Sequence, residues 1–180
     1  RTPTYADLPA LRYCRQVFQE SLRHYSPLPV LLRQSLEDLE LRGYTIPRGS
    51  VFVVSPYIVH HDPRFYPNPD TFDPDRWTDA FTEQLHKFAY FPFGGGPRVC
   101  IGERFAWTEG TLALAYFAQR WDVDLAPFQE VRPGDGGTLR PAGEIEIYVR
   151  RRGGGEATAA LPAAAASDAP GPGGCPFSHS

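Results

Sequence analysis

The chain has 180 residues, enough for one ordinary domain with a hydrophobic core, since domains commonly contain about 100–150 residues. Its formal net charge of −3 provides no broad basic surface, which argues against binding to nucleic acid or to an acidic membrane. No segment resembles a secretory signal or approaches the roughly 18 consecutive apolar residues of a membrane-spanning helix, and three widely spaced cysteines favour a reducing compartment over a disulfide framework.

The first third of the chain predicts a helix followed by a small sheet. Asp7 is a suitable N-cap, and apolar residues recur at helical spacing over residues 8–23, before Pro27 ends the pattern. Residues 30–54 are rich in β-branched side chains, with turn signals around Gly43 and Gly49. We expect two or three short antiparallel strands in this segment.

The middle of the chain predicts a loop, and a second long helix follows it. Residues 60–77 contain four prolines, so we expect a packed loop without long regular structure. Apolar residues at helical spacing predict a helix over residues 102–120. Short strands are predicted over residues 122–125 and 144–150, separated by Pro133 and glycine-rich turns.

Composition divides the chain into an ordered domain, residues 1–152, and an Ala-, Gly- and Pro-rich tail, residues 153–180. The tail has almost no large apolar side chains to offset the entropy lost on ordering, so we expect it to be disordered. The predicted elements of the domain indicate a mainly helical α+β fold with small antiparallel sheets.

A cysteine stands in a glycine-rich loop immediately before the second long helix. The loop reads Phe-Gly-Gly-Gly-Pro-Arg-Val-Cys-Ile-Gly from Phe93 to Gly102, with Cys100 as its cysteine. Glycines allow the backbone to approach a flat ligand closely, and a helix N-terminus favours the thiolate over the thiol. The loop therefore suits a metal-binding sulfur, the alternative being a buried structural cysteine beside a simple turn. A phosphate-binding loop does not fit, because no Gly-Lys-Ser or Gly-Lys-Thr follows the glycines.

This segment resembles the haem-binding loop of the cytochrome P-450 family. It matches the family pattern FxxGxRxCxG at every fixed position, through Phe93, Gly96, Arg98, Cys100 and Gly102. The resemblance implies that Cys100 is the axial thiolate ligand of haem b (iron protoporphyrin IX), and that the other four residues contribute to cofactor binding. An axial thiolate donates electron density to haem iron and favours O–O cleavage. The resemblance also implies the C-terminal part of the mostly helical family fold.

A possible ion-pair network is the second signal. Glu20 and Arg23 are three residues apart on the first predicted helix, a spacing at which side chains meet, although such a pair is usually a surface pair. In the resembling family, an ExxR pair on this helix binds an arginine from a later loop. Residues 72–77 resemble that loop, with Arg76 as the third member. The resemblance therefore implies a structural network of Glu20, Arg23 and Arg76.

Several further residues have weaker signals. Arg98, two residues from Cys100, could face a haem propionate as a charge-assisted donor. Arg33 resembles the family's propionate-binding arginine, the alternative being an ordinary exposed strand residue. His60 begins a segment similar to the family's HRDP, but His61 stands where arginine is common. A metal site of His60 and His61 is the less favoured alternative, because adjacent side chains usually point apart. Cys175 lies in the expected tail, where a metal or haem contact is an open alternative.

For the whole protein, the resemblance implies a monooxygenase, an oxidoreductase that inserts one atom of O₂ into a small hydrophobic substrate such as a terpenoid or fatty acid. Electrons would come from a ferredoxin or flavin reductase bound on the face that carries the Cys100 loop. We expect a soluble, cytoplasmic, bacterial type of member, although a membrane anchor upstream is compatible with the sequence. The alternatives are a haem-thiolate isomerase or dehydratase, and a haem-binding fragment or sensor without turnover.

We expect the chain to be a fragment. The resemblance covers residues 8–150 and corresponds to about the last third of a family member. No counterpart is found for the family's upstream helix, whose acid and threonine deliver protons to bound oxygen. We therefore expect the isolated chain to be inactive, with bare apolar surface where the helices at residues 8–23 and 102–120 would meet absent partners.

Overall fold

A computed structural model describes residues 1–134 and 136–153. The expected α+β class is confirmed: helices are combined with three two-stranded antiparallel sheets. The helices are α1 (Arg12–His24), α2 (Pro56–His60), α3 (Asp79–Gln84) and α4 (Glu103–Arg120). The strands are β1 (Leu31–Gln34), β2 (Leu39–Leu41), β3 (Tyr44–Ile46), β4 (Val51–Val54), β5 (Trp121–Leu125) and β6 (Ile147–Arg151). The expected tail begins at the last described residue, and residues 154–180 lie outside the described part of the chain.

The first long helix begins later than the sequence pattern predicts. Asp7 is not the N-cap of α1; it lies inside a separate 3-10 helix, Tyr5–Ala10. The Asp7 carboxylate accepts a hydrogen bond from the Thr4 amide at 2.8 Å and so closes this short turn. Pro9, inside the turn, has no amide hydrogen to donate, so the chain cannot continue there as an unbroken α-helix. The prediction that Asp7 caps the long helix was therefore wrong.

Four strands, not two or three, follow α1 and form two separate sheets. Strands β1 and β4 pair antiparallel, with Leu31 opposite Val54. Between them, β2 and β3 form a tight hairpin whose turn residues Arg42 and Gly43 have φ angles of 51° and 83°. Positive φ at both central positions is typical of a two-residue hairpin turn. The sequence indicated the turn but not the extra pair of strands.

The proline-rich segment is a packed loop flanked by two short helices that were not predicted. Pro56 occupies the first turn of α2, where its missing amide hydrogen costs nothing, and Ser55 Oγ accepts from the Ile58 amide at 3.2 Å. Thr78 Oγ1 caps α3 in the same way, accepting from the Phe81 amide at 3.1 Å. Both helices are too short to show a clear apolar periodicity in the sequence.

The second long helix, α4, packs against α1 and leads directly into β5. Its range agrees with the prediction to within one residue. Strand β6 begins three residues later than predicted, and the amide of Glu146, just before it, donates to the Gln129 side chain at 3.0 Å. None of the helices in the described part of the chain combines the length and the apolar character required to cross a bilayer.

Much apolar surface is left uncovered. The buried apolar side chains are few, and the largest of them, Tyr66 and Trp77, belong to the proline-rich loop itself. Around the start of α4, Ile101 and Phe105 are exposed, as is Phe117 further along the helix. Such exposure is what we expect of surfaces that pack against further protein.

Candidate functional site

The Cys100 loop is held by its own backbone. The Phe93 carbonyl oxygen accepts from the Cys100 amide at 2.9 Å, and the Gly96 carbonyl oxygen accepts from the Val99 amide at 3.1 Å. Gly94 and Gly96 have φ angles of 77° and 70°, a conformation that only glycine adopts without strain. The loop turns back on itself and presents the free thiol of Cys100 at the surface, so the alternative of a buried structural cysteine does not hold.

The backbone conformation at Gly96 leads to a prediction. A Cβ atom added at Gly96 would meet nothing within 4 Å, so Gly96→Ala should cost only backbone strain, about 1–2 kcal/mol of unfolding free energy. Gly143 is also open on its Cβ side but lacks a positive φ, and Gly143→Ala is the matched control. Chemical denaturation of both variants checks this, and equal stabilities for the two would contradict the argument from strain.

A groove of about 790 Å³ opens beside Cys100 and is lined mostly by apolar side chains. This volume lies within the roughly 300–1,000 Å³ of typical cofactor and ligand sites. Its apolar wall is formed by Leu22, Leu28, Leu31, Leu32, Leu36 and Phe93. Arg33, Arg98 and Cys100 also line the groove.

The two arginines of the groove are exposed and carry positive charge toward it. Neither forms a salt bridge with a carboxylate of the described residues. Arg33 donates from Nη1 to the Leu32 carbonyl oxygen at 2.8 Å, and its Nη2 lies about 4.0 Å from the position of a Cβ at Gly94. An apolar groove with an exposed sulfur and two cations that lack carboxylate partners fits haem, which has a flat apolar ring, an iron atom and two propionates.

Glu20, Arg23 and Arg76 form an ion-pair network between α1 and the proline-rich loop. The side chains of Glu20 and Arg23 are fully buried. Arg23 donates from Nε to Glu20 Oε2 at 2.8 Å and from Nη2 to Glu20 Oε1 at 2.9 Å. Arg76 donates from Nε to Glu20 Oε1 at 3.1 Å. The Glu20–Arg23 pair is therefore bidentate, the geometry that makes a buried ion pair strongest.

Two further donors complete the shell of the Glu20 carboxylate. Trp77 donates from its indole Nε1 to Oε2 at 2.9 Å, and the Asp73 amide donates to Oε1 at 2.9 Å. Burial raises the pKa of Glu20, but the hydrogen bonds and charges of its partners outweigh burial and hold the pKa below the usual range. The carboxylate therefore stays ionised inside the protein.

The arginines of this network also bind carbonyl groups of the proline-rich loop. Arg23 donates from Nη1 to the His60 carbonyl oxygen at 2.8 Å and from Nη2 to that of Thr71 at 3.2 Å. Arg76 donates from Nη1 to the Pro67 carbonyl oxygen at 2.9 Å. The network thus joins α1 to the loop and fixes the loop's course.

His60 is buried and connects the loop to the segment before the cysteine. Its Nε2 accepts from the Phe91 amide at 3.0 Å, and its ring stacks on Tyr90 with centroids 5.3 Å apart. Burial and the nearby charge of Arg23 lower the pKa of His60 to about 3, so the ring is neutral at ordinary pH. His60 thus holds the backbone at Phe91, two residues before Phe93 at the start of the Cys100 loop.

The two adjacent histidines each have their own partner within the protein. His60 Nε2 accepts from the Phe91 amide, whereas His61 Nδ1 lies 2.8 Å from the Tyr57 carbonyl oxygen. The described residues contain no group of three or more His, Cys, Asp or Glu side chains arranged to hold a metal ion. Cys175 lies outside the described residues.

Sequence reasoning missed two parts of this region. Trp77 was seen only as the last residue of the segment that carries Arg76, although its indole binds Glu20 directly. Trp107 was not singled out, although its ring lies 6.0 Å from that of Phe93 in the cysteine loop. For Trp77, the only signal in the sequence is its position beside Arg76, a charged residue of the motif. The role of Trp107 follows from three-dimensional packing alone.

A family model described as Cytochrome P-450 matches residues 1–149. Cyclooctatin synthase of Streptomyces melanosporofaciens is 45% identical over 133 residues, covering 74% of this chain and 29% of that relative. Cyclooctat-9-en-7-ol 5-monooxygenase of the same organism is 40% identical over 127 residues, covering 71% of this chain and 28% of that relative. The chain therefore spans less than a third of the length of these two curated relatives.

Solved structures show the same similarity. The crystal structure of the cytochrome P450DA heme domain matches with a TM-score of 0.77 and 33% identity, covering 84% of this chain and 34% of that one. A cyanobacterial protein solved with retinoic acid bound matches with a TM-score of 0.78 and 32% identity, covering 83% of this chain and 35% of that one.

Proposed function

This chain belongs to the cytochrome P-450 family, and from that membership we propose that Cys100 is the axial thiolate of a haem b group bound in the groove beside it. The observation that carries the proposal is the exposed Cys100 thiol, presented by a glycine-rich loop beside an apolar groove. Arg33 and Arg98 would bind the propionates as charge-assisted donors. Phe93, Gly96 and Gly102 shape the loop: a Cβ at Gly102 would lie 3.7 Å from Cys100 Sγ.

When bound, a thiolate-ligated haem supplies the O₂-activating chemistry that the axial sulfur favours. The chain's own residues hold that sulfur in place. The Cys100 amide is already engaged by the Phe93 carbonyl oxygen, and α4 begins three residues after Cys100, with its N-terminal dipole favouring negative charge nearby. These features hold the sulfur as a ligand at one fixed position.

Glu20, Arg23 and Arg76 serve as a scaffold in this proposal and have no chemical role. Their side chains bind one another, the Trp77 indole and backbone carbonyls, and none of the three lines the Cys100 groove. The network holds the proline-rich loop against α1, and the loop in turn supports Phe91 and the cysteine loop through His60.

We propose that the whole protein is a monooxygenase: one atom of O₂ enters an organic substrate, and the other leaves as water with two electrons and two protons. Family membership and a relative named as a monooxygenase support this reaction class. The substrate is proposed to be a small hydrophobic molecule, a terpenoid or a fatty acid. The name cyclooctat-9-en-7-ol 5-monooxygenase, which denotes oxidation of a largely hydrocarbon alcohol, favours the first.

The electrons would come from a ferredoxin or a flavin reductase that docks on the face carrying the Cys100 loop. We propose residues 1–152 as the structural unit of the haem domain and the remaining residues as a tail outside it. We also propose that the protein is a soluble, cytoplasmic member of this family.

Isotopically labelled O₂ tests the proposed reaction. The full-length, haem-loaded protein is supplied with a reductase, and cyclooctat-9-en-7-ol and dodecanoic acid are offered as probes. We expect one labelled oxygen atom in a product of at least one probe, dependent on the reductase. Conversion of an added organic hydroperoxide without reductase, into a product that keeps both of its oxygen atoms or has lost water, would instead identify an isomerase or dehydratase of the same family.

A further inference from the structure

We propose that Trp107 is a positioning residue that holds the Cys100 loop in its ligand-presenting conformation. The inference rests on the proposed function, because it concerns how the thiolate is held. Trp107 lies in the second turn of α4, behind the loop, and it does not line the groove that opens at Cys100. Trp107 therefore acts on the loop through Phe93.

The indole of Trp107 contacts both the loop and α1. Its ring centroid lies 6.0 Å from that of Phe93, with an interplanar angle of 58°, and 5.4 Å from that of Phe18, with an angle of 87°. Both separations fall within the range of favourable aromatic pairs. The guanidinium carbon of Arg15 lies 4.7 Å from the same ring, at cation–π distance. Trp107 is thus the shared partner of α1 and the cysteine loop.

The α1 side of this contact is closely packed. Phe18 packs so closely on Gly110 of α4 that a Cβ added there would lie 2.5 Å from the phenyl ring. Because no side chain fits between them, Phe18 cannot move toward α4, and it offers Trp107 a fixed edge. One closely packed ring on α1 and one ring on the loop therefore confine the indole.

The loop side of the contact leads directly to Cys100. Phe93 carries the carbonyl oxygen that accepts from the Cys100 amide at 2.9 Å. Displacing the Phe93 side chain therefore moves the residue that closes the loop. Hydrogen exchange at the Cys100 amide reports on this hydrogen bond, whatever the state of the haem iron.

A matched control lies on the same helix. Tyr116 is an aromatic residue of α4 whose ring lies 3.9 Å from the guanidinium carbon of Arg120 and 6.1 Å from the ring of Phe117. It resembles Trp107 in having an arginine and an aromatic neighbour. It differs in having no contact with the cysteine loop. Tyr116→Leu therefore removes a similar set of contacts from α4 without touching Phe93.

The experiment compares Trp107→Leu, Trp107→Phe and Tyr116→Leu in the full-length, haem-loaded protein, by hydrogen exchange over residues 93–100 and by the ferrous carbon monoxide spectrum. Losing an aromatic pair of ordinary strength should speed exchange of the loop about two- to tenfold in Trp107→Leu, with partial rescue in Trp107→Phe. The same variant should show a smaller share of the red-shifted, thiolate-type Soret band. Tyr116→Leu should leave both readouts unchanged.

Exchange over β5 and β6 separates a local effect from general loosening. Unchanged loop exchange in Trp107→Leu would overturn the inference, and so would an equal acceleration over β5 and β6 or in Tyr116→Leu. Cys100→Ser, measured alongside, keeps this test separate from the proposed function. If Cys100→Ser retains the thiolate-type band, the ligand assignment fails. If Cys100→Ser loses the band but the Trp107 variants leave loop exchange unchanged, the positioning role fails and the ligand assignment stands.

Discussion

Glu20→Gln is expected to lower the unfolding free energy by about 3–5 kcal/mol, the usual cost of breaking a buried ion pair. The side chains of Glu20 and Arg23 are both fully buried, so the substitution leaves the Arg23 charge without its counter-charge. A glutamine amide also turns one of the two acceptor oxygens into a donor that faces other donors, the Arg23 guanidinium and the Trp77 indole. Chemical denaturation of the haem-loaded protein measures the change.

The matched control is the same substitution in an exposed pair. Glu130 and Arg132 form an ion pair in which each side chain is 70% exposed, so Glu130→Gln should cost no more than about 1 kcal/mol. Similar small losses in both variants would mean that the buried network contributes little to stability, and the scaffold role of Glu20 would then be wrong.

The second large effect is a loss of unfolding free energy at acidic pH. The pKa of His60 is about 3 in the folded protein, against about 6.5 for an unperturbed histidine. As the pH falls below about 6.5, the unfolded chain takes up a proton that the folded chain does not, so the unfolding free energy decreases. The limiting slope is about 1.4 kcal/mol per pH unit, and the loss between about pH 6.5 and 4.5 should reach roughly 2–3 kcal/mol.

His60→Gln tests this account, because a glutamine oxygen can accept from the Phe91 amide in place of Nε2 but takes up no proton. Burial also lowers the pKa of His61, which adds a slope of its own to both proteins. The informative quantity is therefore the difference between wild type and variant. Wild type should lose more unfolding free energy over this pH range than His60→Gln does, and parallel curves would show that His60 is not the titrating group.

The parts of the site that the sequence predicts are those carried by short, contiguous spacings. Cys100 and its glycines form one uninterrupted segment, and Glu20 and Arg23 meet because helix geometry brings residues three apart together. Arg76 is 56 residues from Glu20 and was connected to it only through the family resemblance. Asp73 and Trp77 lie close to Arg76 in the sequence. Nothing in that spacing shows that the Asp73 amide and the Trp77 indole also bind the Glu20 carboxylate.

Local competition explains the errors in the fold. Asp7 has the right chemistry for an N-cap, but Thr4 lies close enough to use its carboxylate in a separate turn, and Pro9 prevents that turn from joining α1. The short helix α2 depends on Ser55 and Pro56 at its start, a capping signal without the apolar repeat that marks a longer helix. Trp107 lies on a face of α4 whose partners, Phe18 and Phe93, are far apart in sequence.

The most direct test of Cys100 as the haem ligand is the ferrous carbon monoxide spectrum of the full-length, haem-loaded protein, compared with Cys100→Ser and Cys14→Ser. Cys14, on α1, is half-buried and lies outside the groove, so it controls for loss of a thiol as such. We expect a red-shifted, thiolate-type Soret band in wild type and Cys14→Ser and no such band in Cys100→Ser. A thiolate-type band that persists in Cys100→Ser would contradict the assignment on which the account of this site rests.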